Sequence, residues 1–416
     1  MALTHLSRSA LLRRSFLLIA ALPIISWSRP VLSQPATSLD DCALRRITTL
    51  PGSHKFASDY IETLATDPSV DDPNTLFALT ADLSNDVPPP NRALYISRST
   101  DGGANWSELA RIDPRYFDAS IGEGIRNGLA VSPGATSFVL TTQRGAFQVI
   151  LQPNTYQPLI RNIPGPSVPI SPPKIPIAKK PGDAVRANAA LITADGNHLF
   201  LGYGYFDLDP KLFLYRNSGT PSEPTWTEQA ELTGLPTDLD ILSMQFDDPA
   251  NPDPTFLYVG TGDQVYLLQL HAHRWSLVEG VGPDSAIHGM SVTGGLHLAA
   301  CWGVYNPTGP GTVRRVLNPS FLIHRSSDEA GNNVRAYSID VDPANLNREV
   351  ISALTGVYTS TDRGETWRRL NDLPDEEFRT ARFTSNGDVL VSGIAGTYLV
   401  HPFSETCSPR LIPRDK

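Results

Sequence analysis

Four arginines, Arg126, Arg186, Arg335 and Arg379, stand at or just before the opening of apolar, β-prone runs. A guanidinium presents a planar fork of N–H donors, so several converging on one spot would bind a carboxylate or sulfate through paired, charge-assisted hydrogen bonds. Carboxylates gather in the polar stretches beside such runs: Asp118 and Glu123, Asp207 and Asp209, then Asp375, Glu376 and Glu377. Two such groups about 5 to 10 Å apart across a cleft are what glycoside hydrolysis requires, one protonating the leaving oxygen and the other acting as base or nucleophile. Acidic loops are also simply well solvated, and no pair is singled out as catalytic. His271 and His273 would point the same way on a strand, but no third ligand stands near them, and no metal or cofactor is expected.

Short strands must position these groups. Apolar runs recur between Gly, Pro, Asn and Asp, with 31 Gly and 36 Pro in all, and helix-period patterns are almost absent. One turn occurs twice as Ser-x-Asp-x-Gly-x-x-Trp: Ser99, Asp101, Gly103 and Trp106, then Ser360, Asp362, Gly364 and Trp367. In such a turn the Ser hydroxyl and Asp carboxylate bond the turn's own backbone, Gly takes an angle closed to other residues, and Trp anchors the next strand.

Both turns resemble the Asp-box of the BNR repeat, found in sialidase-like, sortilin-like and photosystem II assembly-factor-like β-propellers. The resemblance implies a structural box that sits away from the ligand face. Sialidases of this group need three Arg on the substrate carboxylate, a Tyr activated by a Glu, and an Asp acid/base, with the first Arg in Arg-Ile-Pro. The nearest string is Arg46-Ile47-Thr48, and Tyr337-Ser338 belongs to the repeat unit itself, so no catalytic residue carries over. The related xyloglucanase-like enzymes place two propellers around a cleft; this chain has length for one.

The longer repeat runs from an alternating strand ending in Asp-Pro to the boxed turn and its Trp, most clearly over residues 336–370. Counting such units predicts an all-β, single seven-bladed propeller of four-stranded antiparallel blades. Their bounds are 59–113, 126–163, 186–235, 240–281, 286–327, 334–372 and 378–402. The last has room for three strands, and residues 43–51, which read like 367–374 without the Trp, supply its outer strand and remove an exposed edge. The domain therefore covers 43–407, with a Pro-rich extended insertion at 164–181, a short lead at 34–42 and a tail at 408–416. Closure brings Cys42 and Cys407 onto adjacent strands, where an oxidising compartment would join them. Cys301, inside the apolar run 296–302, reads as a buried core thiol.

Arg8, Arg13 and Arg14 precede an apolar run from Phe16 to Ile25 and a small-residue exit at Ser33, the pattern of a cleaved export signal over 1–33. It fits a twin-arginine signal or an ordinary secretory one. No later run approaches about twenty apolar residues, so no membrane anchor is expected. The net charge is −9 over 416 residues, and losing 1–33, with four Arg and no acid, takes it to −13. Nucleic acid is disfavoured as a partner, since it needs a basic footprint. The expectation is a monomeric periplasmic or extracellular propeller that binds a polypeptide or an anionic glycan without catalysis. The ligand face would carry the lead-in loops of the inner strands and the middle hairpins, including 53–60, 113–125, 205–209, 305–310, 326–333 and 372–378. A carbohydrate-active hydrolase is the alternative.

Overall fold

A computed structural model describes residues 45–51, 61–69, 72, 74–82, 93–113, 128–142, 145–153, 155, 157–165, 187–203, 211–220, 222–237, 240–282, 286–301, 303–309, 311–317, 336–370, 372–374 and 376–403. All belong to one compact unit, Cys42–Lys416. The segments 1–33, 34–42 and 408–416, both Cys42 and Cys407, and the Pro-rich stretch from 166 onward lie outside the described residues. Among the described residues no helix is long and apolar enough to cross a membrane.

Short apolar runs broken by Gly and Pro close into hairpins rather than helices, and the chain forms seven four-stranded antiparallel sheets. Their innermost strands are Ile61–Ala65, Leu129–Val131, Ala187–Ile192, Ile241–Phe246, Ile287–Ser291, Ala336–Val341 and Phe378–Phe383. These pack side by side in chain order, and the last returns against the first. The sheets are the blades of a closed seven-bladed β-propeller, numbered here in chain order.

Apolar side chains cover both faces of each blade and meet in the seams between neighbours, because no other surface can bury them. Each seam has its own buried cluster, such as Phe77, Ile96, Val131 and Phe138 between blades one and two. Full burial of one such side chain contributes about 2 kcal/mol.

The ring closes as expected from residues 43–51. Arg45 pairs with Leu399 and Arg46 with Tyr398, antiparallel, on the outer edge of blade seven. Ile47 N then donates to Thr397 O at 2.8 Å. Ile47 and Leu50 enter the seam between blades seven and one with Leu76, Trp106 and Leu390. Blade six repeats the device with its own chain: Arg369 lies opposite Tyr358, as Arg46 lies opposite Tyr398.

The two boxed turns are superposable in their bonding. Ser99 Oγ accepts from Gly103 N at 2.8 Å, Asp101 Oδ1 from Asn105 N at 2.9 Å, and Trp106 Nε1 donates to Gly103 O at 2.9 Å. Ser360, Asp362 and Trp367 make the same bonds to Gly364 N, Thr366 N and Gly364 O at 2.8, 2.8 and 2.9 Å. Gly103 has φ +94°, and a Cβ there would also strike Leu390 of blade seven at 2.8 Å. Each indole enters the seam with the preceding blade, Trp106 against Leu390 and Trp367 in the cluster that holds Val304. Where the turn has decayed, before Trp226, the indole keeps its seam but its buried Nε1 has no partner among the described residues.

The residues 305–310, expected as a ligand-face loop, depart from that reading: Gly303–Gly309 is a strand, and Tyr305 and Asn306 are buried. Pro307 is a breaker in sequence, yet a register shift between Pro307 and Gly309 absorbs it within the ladder.

Candidate functional site at the mouth of the channel

Six of the seven inner strands share one irregularity. The ladder slips between the first and third strand residues, at Ile61/Thr63, Ala187/Ala189, Ile241/Ser243, Ile287/Gly289, Ala336/Ser338 and Phe378/Thr380. The second residue of each is thus an extra, unpaired one, and a bulge of this kind re-aims its side chain. In blades five, six and seven that residue is His288, Tyr337 and Arg379, and all three line the central cavity.

These three side chains make a continuous row. The His288 and Tyr337 rings lie 5.8 Å apart between centroids, and the Arg379 guanidinium sits 5.9 Å from the Tyr337 ring. The row is anchored at both ends. Arg379 Nε donates to Glu377 Oε1 at 2.7 Å, with Glu377 itself held by Ile394 N to Glu377 O at 2.9 Å. At the other end His288 Nε2 meets Cys301 Sγ at 3.0 Å. Cys301 is therefore not the enclosed core thiol expected from its apolar run: it is half-buried and faces an imidazole.

The cavity behind the row has a volume of about 540 Å³. Blades two and three line it with apolar residues only, most of them turned into the seams, whereas blades four to seven mix Met244, Met290 and Ile339 with Gln245, His288, Asp340 and Arg382. The lining of blades four to seven is stitched across seams: Ser243 Oγ donates to Ile287 O at 3.0 Å, and Ser338 Oγ accepts from Ala381 N at 2.8 Å. Asp340 Oδ2 accepts from Phe383 N at 2.9 Å. Burial raises the Asp340 carboxyl above the usual carboxylate range, and the Arg382 charge and these hydrogen bonds pull against that rise. The other cavity carboxylates serve turns as well, Asp247 accepting from Phe256 N and Asp248 from Ala250 N.

Of the four arginines, Arg379 is on the site, and its Nε donates to Glu377, whose carboxylate offsets the charge beside it. It also occupies a different register from two of the others, being the second residue of its strand, whereas Arg186 and Arg335 directly precede Ala187 and Ala336. Arg126, Arg186 and Arg335 lie outside the described residues, as do Asp118, Glu123, Asp207, Asp209 and Asp375. Glu376 is exposed, and its neighbour Glu377 is the carboxylate that reaches the row. His271 lies 3.6 Å from Asp253 and is well exposed, on the turn that replaces a box in blade four. Among the described residues no group of three or more His, Cys, Asp or Glu could hold a metal ion. His288 escaped notice, and Cys301 was read as a core thiol, because a bulge is a relation between two strands. The signal open to sequence reading was the small or hydroxyl third residue, Thr63, Ala189, Ser243, Gly289, Ser338 and Thr380.

No protein-family model matches the chain, and no curated protein matches it. Solved structures do. The xyloglucanase of Xanthomonas campestris aligns with a TM-score of 0.53 at 15% identity, over 86% of this chain and 53% of that one. PorZ, a surface component of the type-IX secretion system of Porphyromonas gingivalis, gives 0.50 at 16%, over 82% and 46%. The chain thus spans about half the length of these two. YCF48 bound to D1 peptide gives 0.51 at 13%, over 86% of this chain and 96% of that one. At such identities the likeness shows the fold, which a hydrolase and a peptide-binding protein share.

Proposed function

We propose that this propeller is a non-catalytic binding module whose ligand is a polypeptide segment seated at the channel mouth. The mixed lining carries the reading: half-buried Leu191 and Met290 share the cavity with an imidazole, a phenol and a paired guanidinium from blades five to seven. A peptide offers both kinds of surface, apolar side chains and hydrogen-bonding backbone, whereas a sulfated or carboxylated sugar has little to set against Leu191 and Met290. The Glu377 carboxylate beside Arg379 offsets its charge, which also weakens the case for a simple anionic glycan. YCF48, whose fold this chain shares over 96% of its length, is bound to a peptide, D1. On this reading the chain is an exported monomer, released after residue 33 and bridged from Cys42 to Cys407 beside its closing strand.

The test is to pan a random peptide library on the immobilised protein and measure the selected peptides by fluorescence anisotropy. Arg379→Ala should weaken binding roughly 10- to 100-fold, the usual worth of a charge-assisted hydrogen bond with its stacking partner. Selected peptides that bind the variant equally well would move the site elsewhere. Turnover of any member of a fluorogenic glycoside panel would replace the binding reading with the hydrolase.

A further inference from the structure

We propose that Cys301 and His288 form a reactive thiol pair at the channel mouth, able to exchange with a small disulfide and carry it as a mixed disulfide. The inference does not depend on the peptide reading. It rests on placement. His288 is the bulged second residue of its inner strand, and Cys301 leads out of the neighbouring strand His297–Ala300, whose last residue pairs with Ile287. The slip between Ile287 and Gly289 swings the imidazole along the sheet until Nε2 lies 3.0 Å from Sγ.

Proximity of this kind gives the thiol proton a home on Nε2, and the thiolate is the nucleophilic form. The groups that face the pair suit it. Tyr337 lies against the imidazole from blade six, and Arg379 with Glu377 stands behind Tyr337 from blade seven. From blade four the contact is the neutral Ser243, whose hydroxyl donates to Ile287 O. His288 is itself buried, while Cys301 is half-buried at the hairpin that leaves the sheet.

The exchange balances without an outside oxidant. The thiol proton passes from Sγ to Nε2, and the thiolate attacks one sulfur of the small disulfide. The Sγ–S bond forms as the old S–S bond breaks, and the departing thiolate takes the proton back from Nε2 and leaves as a thiol. One protein thiol and one disulfide become one mixed disulfide and one small thiol.

The experiment uses the full chain, native, with a dipyridyl disulfide as probe. The rate of labelling at Cys301 is read by peptide mapping so that Cys42 and Cys407 do not contribute. An ordinary thiol with a pKa of about 8.5 loses roughly 80-fold in thiolate between pH 8 and pH 6. The wild-type rate should fall no more than about threefold over that interval, and His288→Gln should restore the roughly 80-fold fall. Identical pH profiles for wild type and His288→Gln, or no labelling of Cys301 short of unfolding, would overturn the proposal. If His288→Gln fails to fold, a synthetic peptide of residues 296–306 with alanine in place of Trp302 serves as reference, and a wild-type profile matching that of the peptide overturns it equally.

Discussion

Glu349 opens the second strand of blade six with its side chain wholly out of solvent. Oε1 accepts from Asn306 Nδ2 at 2.7 Å, and Oε2 has no partner among the described residues. Asn306 Nδ2 also donates to Arg363 O at 2.7 Å, which fixes the amide so that its Oδ1 receives the Nδ1–H of His297 at 3.2 Å. Burial above all, with the Asp362 and Glu365 charges adding to it, pushes the Glu349 carboxyl up to about 7 from 4.5. The folded protein thus keeps a proton that the unfolded chain has released. Stability falls as pH rises from about 4.5, and the whole cost is present above about 7. At about 1.4 kcal/mol per pH unit that cost comes to a little over 3 kcal/mol. His297 runs the other way: burial lowers it to about 4 from 6.5, so its contribution is lost as pH falls through that window. In the wild type the two slopes largely cancel between about pH 4.5 and 6.5. Glu349→Gln removes one of them. The variant should match wild type near pH 4.5, where the carboxyl is protonated and close in shape to the amide, and exceed it by about 3 kcal/mol at pH 8. Urea-unfolding midpoints of both proteins across this range, followed by Trp fluorescence, measure the gap. A difference that stays constant from pH 4.5 to pH 8 would refute the reasoning, because Glu349 would then titrate alike in both states.

Three further outcomes are expected from the turns and the closing strand. Asp101→Ala or Asp362→Ala removes carboxylate bonds to the backbone and side chain of Asn105 or Thr366 and should cost about 1–3 kcal/mol, read as a lowered unfolding midpoint. Partial burial tends to raise these two carboxyls, but the bonds from Asn105 or Thr366 and from Ser outweigh it and hold both below 3.8. What they contribute is therefore present above that value and is lost as pH falls through the lower folded one. Ile47→Ala empties a buried place in the last seam and should cost about 2–4 kcal/mol. Deleting residues 43–51 should leave the edge of Gly396–Val400 unpaired and drive association, visible as a rise in light scattering.

The fold was legible because its determinants are local and repeated. Ser360, Asp362, Gly364 and Trp367 satisfy one another within a single turn, so their spacing alone predicts the bonds seen. The closing strand was legible for a similar reason, since Arg45, Arg46, Leu50 and Pro51 repeat Arg368, Arg369, Leu373 and Pro374. The site was less so. Its row joins His288, Tyr337 and Arg379 from three blades, and what aligns them is a ladder slip that no single strand displays. Arg379 stood out as a charge at the start of a strand, but its partner Glu377 changes what the charge can do. Tyr305 and Asn306 went astray because Pro307 looked like the end of a strand.

The two-residue strand at Arg45–Arg46 finds its mate about 350 positions downstream, at Tyr398 and Leu399. During synthesis it is the first piece of the domain to emerge and the last to be used, so it must wait through the making of every blade. Contacts so remote in the chain form slowly, since a long loop has to be brought together before any pairing repays it. The final seam, with Ile47, Trp106 and Leu390, cannot be completed until the last blade is made, and a nascent chain that stalls before residue 398 leaves that seam open to the chaperones and proteases around it.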